Sequence, residues 1–216
     1  MGSFWGVYPE LLWVVSNTKN KCAVNFGCRN IQVSRPLKKR QSSLKMKEIK
    51  NLETERTIMR KLTKEDALDF YTLNLDEQVL KYTGDKPFVN LQASIDFLTN
   101  YDQYDKYGVG RLAVIDKTTL KFLGWCGLKY CQDKKEYDIG FRFHSNYWNK
   151  GYATETSKKC LDFGFTELGI EKVVGRAMKE NIGSIKVLEK MGMTFKEKFD
   201  FDGFEGVIYE ITNKKE

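Results

Sequence analysis

The spacing of apolar residues changes period several times along the chain. Residues 55–62, ERTIMRKL, read as a first strand. Over 63–75 the period lengthens: Ala67, Phe70 and Tyr71 recur at helical spacing behind a Thr63 cap, with Asp66 at the third position. Residues 82–88, YTGDKPF, form a loop, and 91–104 a second amphipathic helix. Strand periodicity returns in 110–116 and 121–130, which flank a turn around Lys117 and Thr118 and predict a hairpin. Residues 135–143 extend it as a third antiparallel strand. A helix is expected over about 151–167, where Ala153, Ser157, Cys160, Leu161, Gly164 and Phe165 share one face. Then come a buried strand over 170–178, a short helix over 181–192 between an Asn181 cap and Gly192, and closing strands at 194–201 and 205–211. This order predicts a mixed α/β fold around one central sheet, and it is neither a Rossmann nor a P-loop order.

Composition narrows the picture. A chain of 216 residues, 41% hydrophobic and with three prolines, fits one folded domain with an appendage. The net charge of +7 is unevenly spread. Residues 11–47 hold nine bases and no acid, and Glu10 is the only acid before Glu48, so 27 of the 36 bases face 28 of the 29 acids in the rest. The basic character therefore belongs to the N-terminal segment and argues against nucleic-acid binding by the folded part. Residues 1–45 are expected to be a basic, unstructured extension, or sequence ahead of a true start at Met46. The stretch after the apolar run 4–15 shares an absence of acids with organellar transit peptides but lacks marked amphipathicity. The apolar run 4–15 is too short to span a bilayer, so no membrane association is expected. The cysteines at 22, 28, 126, 131 and 160 have no metal-ligand spacing, and no metal is expected. A reducing, cytoplasmic setting is expected, with organellar import if residues 1–45 are a targeting segment. His144 is the only histidine, with no nucleophile-elbow pattern to use it, and reads as a loop residue.

The stretch NYWNKGYATETSKK, 146–159, sets Gly151 and Ala153 at the mouth of a helix. A helix N-terminus leaves backbone N–H groups unpaired and carries partial positive charge, so it receives phosphate readily. Side chains at 151 and 153 would obstruct a close phosphate, and Lys150 adds a mobile cation. A plain strand-to-helix turn is the competing reading of these residues alone.

The stretch also resembles the acyl-CoA-binding motif of the GNAT superfamily of N-acetyltransferases. That pattern is Gln or Arg, two residues, Gly, one residue, then Gly or Ala. Here it runs from Trp148 to Ala153, with Trp in place of Gln or Arg. YWNKGYATE is similar to the variant of the subfamily containing bacterial ribosomal-protein N-alpha-acetyltransferases. LETERTIMRKLTKEDA at 52–67, FLGWCGLKY at 122–130 and NIGSIKVLEKMGM at 181–193 agree with it in order. The resemblance implies one GNAT-like domain over 46–216, with a central, mostly antiparallel, splayed sheet flanked by about four helices.

It implies acetyl-CoA as co-substrate, its pyrophosphate on the N–H groups of Asn149, Lys150, Gly151, Tyr152, Ala153 and Thr154. The pantetheine arm would run beside the backbone of Phe141, Arg142 and Phe143 and meet Asn181. Asp138, or alternatively Glu136, would be the base, Ser184 the acid, and a backbone N–H near Phe141 the oxyanion donor. The 181–193 helix departs from many relatives in having no Tyr as acid. Glu155 in the first turn complements the helix dipole. The acceptor would be a primary amine, a peptide N-terminus or a small molecule, approached past the two early helices, with Asp85 able to meet a cationic amine. A catalytically silent acyl-CoA-binding module is the alternative, and monomer and homodimer are equally compatible.

Overall fold

The computed structural model describes residues 51–201 and 203–213, which lie within one compact unit, Met46–Glu216. The expected extension over 1–45, with Cys22 and Cys28, lies outside the described residues. The chain begins with β1 (Leu52–Glu53) and β2 (Thr57–Lys61). A 3₁₀ turn at Lys64–Asp66 leads into α1 (Ala67–Leu73), followed by α2 (Glu77–Leu80), α3 (Leu91–Thr99) and α4 (Gln103–Tyr107). Next come β3 (Arg111–Asp116), β4 (Phe122–Cys131), β5 (Glu136–Phe143) and α5 (Tyr152–Thr166). β6 (Lys172–Met178), α6 (Ile182–Lys190), β7 (Thr194–Phe201) and β8 (Phe204–Thr212) complete it.

The eight strands form one sheet in the order β1-β2-β3-β4-β5-β6-β8-β7. Its pairs are antiparallel except β5 with β6, which is parallel. One face packs on α5 and α6, through Met59, Val114, Cys126, Ile139 and Val173 against Cys160, Leu161 and Leu188. The other packs on α1 and α3, through Ala113 and Phe122 against Phe70, Leu73 and Leu98. A buried apolar layer on each face fits the near-continuous hydrophobic run of β4.

The expected strands are present, and the expected hairpin closes through Asp116, whose Oδ1 accepts the N–H groups of Thr118 and Thr119 at 3.0 and 2.8 Å. The helix expected over 91–104 is instead two. Asn100 caps α3 by donating its side-chain amide to the Asp96 carbonyl at 2.8 Å. The chain then turns so that the Tyr101 hydroxyl accepts the Arg111 N–H at 2.9 Å. α2, four residues behind an Asp76 cap, and β1, two residues long, were not expected. Both are too short to show a period.

Candidate active site

β5 and β6 pair only at Tyr137↔Val173 and Asp138↔Val174. Beyond that point β5 continues along β4 to Gly124↔Phe143, and β6 continues along β8 to Met178↔Gly206. The sheet therefore splits, and the β5 backbone from Ile139 to Phe143 has a sheet partner on one side only. Alternate main-chain groups there face away from β4, and apart from the Phe143 carbonyl they are left for another partner.

The loop after β5 carries the chain to the mouth of α5. Asn149 and Gly151 both have positive φ, 58° and 83°, a region where only Gly is unstrained. A Cβ added at Gly151 would meet Arg56 Nη2 at 3.5 Å, an ordinary contact. Backbone conformation therefore demands the glycine more strongly than lack of room does. The first helical hydrogen bond runs from the Glu155 N–H to the Gly151 carbonyl at 3.0 Å. The N–H groups of Tyr152, Ala153 and Thr154 precede it, and no side chain caps them. By contrast, Asn90 caps α3 and Asn181 caps α6. Trp148, in the place of the motif's Gln or Arg, donates its indole N–H to the Phe143 carbonyl at 2.8 Å and ties the loop to the end of β5. The exposed Lys150 ammonium lies 5.8 Å from the Tyr147 ring centroid.

Arg56 was missed by the sequence reasoning. From just ahead of β2 it donates Nε and Nη2 to Glu155 Oε2 at 2.7 and 2.5 Å, and Nη1 to the Lys150 carbonyl at 3.0 Å. Burial pushes the Glu155 carboxyl up, but hydrogen bonds from Thr54 and Arg56 outweigh it and leave it below the usual range. Glu155 is thus a clamp partner as well as a dipole complement.

On the α1/α3 side of the split lies a line of alternating charges. Asp138 accepts from Arg111 Nη2 at 2.6 Å and from Arg176 Nη1 at 3.2 Å, one guanidinium on each oxygen. Glu136 is paired with Arg176 as well. The side chains of Arg111 and Asp138 are only 15% and 13% exposed. Burial presses down on the Arg111 pKa, Asp138 pushes it up, and the net shift is upward, so the cation persists. The two residues expected as base, Asp138 or alternatively Glu136, are thus both ion-paired. Arg142 points to this same side, toward Asn74 and Asp85, the latter at 2.5 Å. Asp85, named above as able to meet a cationic amine, is ion-paired with Arg142. Trp125 lies 5.4 Å from both Arg111 and Arg142, its indole N–H buried without a partner.

Asn181 uses its side-chain oxygen to accept the Ser184 N–H at 3.0 Å. Ser184, half-buried, stands in the first turn of α6. Both follow the free end of β6. His144 follows β5, with its ring 6.3 Å from Phe122, and burial lowers its pKa. Among the described residues, no group of three or more His, Cys, Asp or Glu could hold a metal ion, and no helix is long and apolar enough to cross a membrane.

Comparison with known proteins gives this geometry a context. A family model described as an acetyltransferase (GNAT) domain matches residues 56–194. The uncharacterized N-acetyltransferase p20 of Bacillus licheniformis is 31% identical over 145 residues, 66% of this chain and 82% of that protein. The solved structure of a GNAT-family acetyltransferase from Bacillus anthracis superposes with a TM-score of 0.67 at 24% identity, covering 77% of this chain and all of that one. That of a ribosomal-protein-S5-alanine acetyltransferase from Vibrio fischeri also reaches 0.67, at 15% identity, covering 76% and 97%. The two structural likenesses speak for the fold alone. The family match spans the splayed strands and the mouth of α5 together, and the chain belongs to the acetyltransferase (GNAT) family as an N-acetyltransferase.

Proposed function

We propose that the protein transfers the acetyl group of acetyl-CoA directly to a primary amine, both held at the split in the sheet. One observation carries the reading: the β5/β6 split opens beside an uncapped helix mouth at Gly151. Both features suit acetyl-CoA. The unpaired N–H groups of Tyr152, Ala153 and Thr154, with Asn149, Lys150 and Gly151 around them, would receive the pyrophosphate. The one-sided backbone of Phe141, Arg142 and Phe143 would take the pantetheine arm as an added strand, and the side-chain amide of Asn181 would donate to it. When bound, acetyl-CoA supplies an acyl group already activated as a thioester. The catalytic domain on this reading is 46–216, and residues 1–45 contribute no catalytic group.

The chain's own groups would do the rest. A main-chain N–H near Phe141 would donate to the carbonyl oxygen as it gains charge. As the amine nitrogen bonds to the carbonyl carbon and the carbon–sulfur bond breaks, the amine's surplus proton would leave to solvent water and Ser184 would hydrogen-bond the departing sulfur. Asp138, engaged by two guanidinium groups, would serve as their anchor rather than as a base, and Glu136 likewise. That assignment bears on the acceptor. An α-amine with a pKa of about 8 is neutral in roughly one molecule in ten at pH 7, whereas a lysine-type amine near 10.4 is neutral in roughly one in 2,500. With no free carboxylate at the split, the lower-pKa amine is the better substrate. This supports a peptide N-terminus or other α-amine, in keeping with the resemblance to ribosomal-protein N-alpha-acetyltransferases.

Release of the CoA thiol by the full chain, in the presence of a panel of amines, tests this. The expected result is amine-dependent release, fastest with α-amines, whose kcat/KM rises tenfold per pH unit up to about pH 8 and then levels. Release favouring polyamines or lysine side chains would refute the acceptor assignment, and no release with any amine would refute transfer.

A further inference from the structure

We propose that Arg56 is a positioning residue of the acetyl-CoA site, which shapes the mouth of α5 and cancels the negative charge of Glu155 there. The inference rests on the reading of that mouth as the pyrophosphate site. The backbone N–H of Arg56 donates to Glu155 Oε1 at 3.2 Å, while its side chain takes Oε2 through Nε at 2.7 Å and Nη2 at 2.5 Å. The backbone N–H thus holds one carboxylate oxygen and two guanidinium N–H groups hold the other, a two-pronged grip that arginine allows and lysine does not.

Nη1 holds the Lys150 carbonyl at 3.0 Å. The peptides of the described chain are trans, so a carbonyl aimed at Arg56 turns the Gly151 N–H the other way. The guanidinium also lies 4.2 Å from the Tyr152 ring centroid, and the Tyr152 hydroxyl donates to Asp116 Oδ2 at 3.3 Å. The loop conformation at positive φ is therefore held from the β2 side of the sheet by one cation.

Glu155 has two opposed effects. In the first turn of α5 it complements the helix dipole. It also sets a full negative charge close to the N–H groups that would receive a doubly charged pyrophosphate. Pairing with Arg56 removes that repulsion and leaves the partial positive charge of the helix end available. Without Arg56, the unopposed carboxylate would work against the ligand. Arg56 thus acts through Glu155 and the loop, with no contact to the reacting atoms required.

Three variants of the full chain at Arg56 and Glu155 test this against wild type, read by calorimetric titration with acetyl-CoA. Arg56→Gln is expected to weaken binding about tenfold, and Arg56→Gln/Glu155→Gln to recover to within about threefold of wild type, because the repelling charge is gone. In turnover, KM for acetyl-CoA is expected to move in the same order and by more than kcat. Arg56→Lys keeps the charge and loses the fork, and its affinity is expected between wild type and Arg56→Gln. It also serves if Arg56→Gln does not fold. A double variant as weak as Arg56→Gln, or equal affinity in all four proteins, would overturn the inference. Gly151→Glu separates the two levels. If it binds as wild type does, the mouth is not the pyrophosphate site and both readings fall. If it loses binding while the Arg56 variants do not, only the inference falls.

Discussion

At the scale of single residues, the two carboxylates beside the split illustrate what sequence can hide. Asp138 is visible as a polar residue on a strand, and the family resemblance marks it as a base. Its partners Arg111 and Arg176 are 27 and 38 positions away, on strands whose pairing the local pattern does not contain. Asp138→Ala leaves the buried Arg111 cation without its main partner. A loss of roughly 3–5 kcal/mol is expected, read as a lowered urea midpoint. Unchanged stability with abolished turnover would instead identify a base. Arg56 and Glu155 are separated by 99 positions and were equally invisible. Their pairing also has a pH signature. The folded-state pKa of Glu155 is depressed, so its contribution is complete above the ordinary value of about 4.3 and is lost as pH falls through the depressed one. Wild type should therefore be more stable than Glu155→Gln near neutrality, and the gap in melting temperature should narrow progressively as pH falls below about 4.3. A gap that stays constant as pH is lowered from about 6 to about 2 would contradict the pairing.

At the scale of elements, the long periodic segments were legible and the short ones were not. α5 announced itself through Ser157, Cys160, Leu161 and Gly164, all of them buried. α2 and the break between α3 and α4 depend on single capping residues and on Tyr101 reaching β3, which no period records. Caps also separate structural helices from the candidate binding helix. Asn90 closes the start of α3 by accepting the Ala93 N–H at 2.9 Å. Asn90→Ala should cost about 1 kcal/mol in chemical denaturation and leave the acetyl-CoA KM unchanged. Asn181→Ala should cost about the same and also raise that KM, because its amide would serve the cofactor as well. Equal KM values in the two variants would leave Asn181 as a helix cap only.

At the scale of the whole molecule, the fold is two sheet halves joined at two residue pairs. The class of fold, one mixed sheet with a glycine-containing helix mouth after its fourth expected strand, could be read from element order and from the motif. The split was expected only through the family resemblance, which implies a splayed sheet; the residue pattern alone does not contain it, because it is the absence of pairing between strands with a helix between them in sequence. Its depth depends on where β5 and β6 stop sharing hydrogen bonds, at Asp138↔Val174. The most direct test of the account is hydrogen exchange of the full chain, resolved by residue, with and without acetyl-CoA. Slowed exchange is predicted at alternate amides within 139–143 and at residues 149–154, with the β3–β4 amides unchanged. Protection confined to other regions, or none at saturating acetyl-CoA, would contradict the assignment of the split and the α5 mouth as the site of transfer.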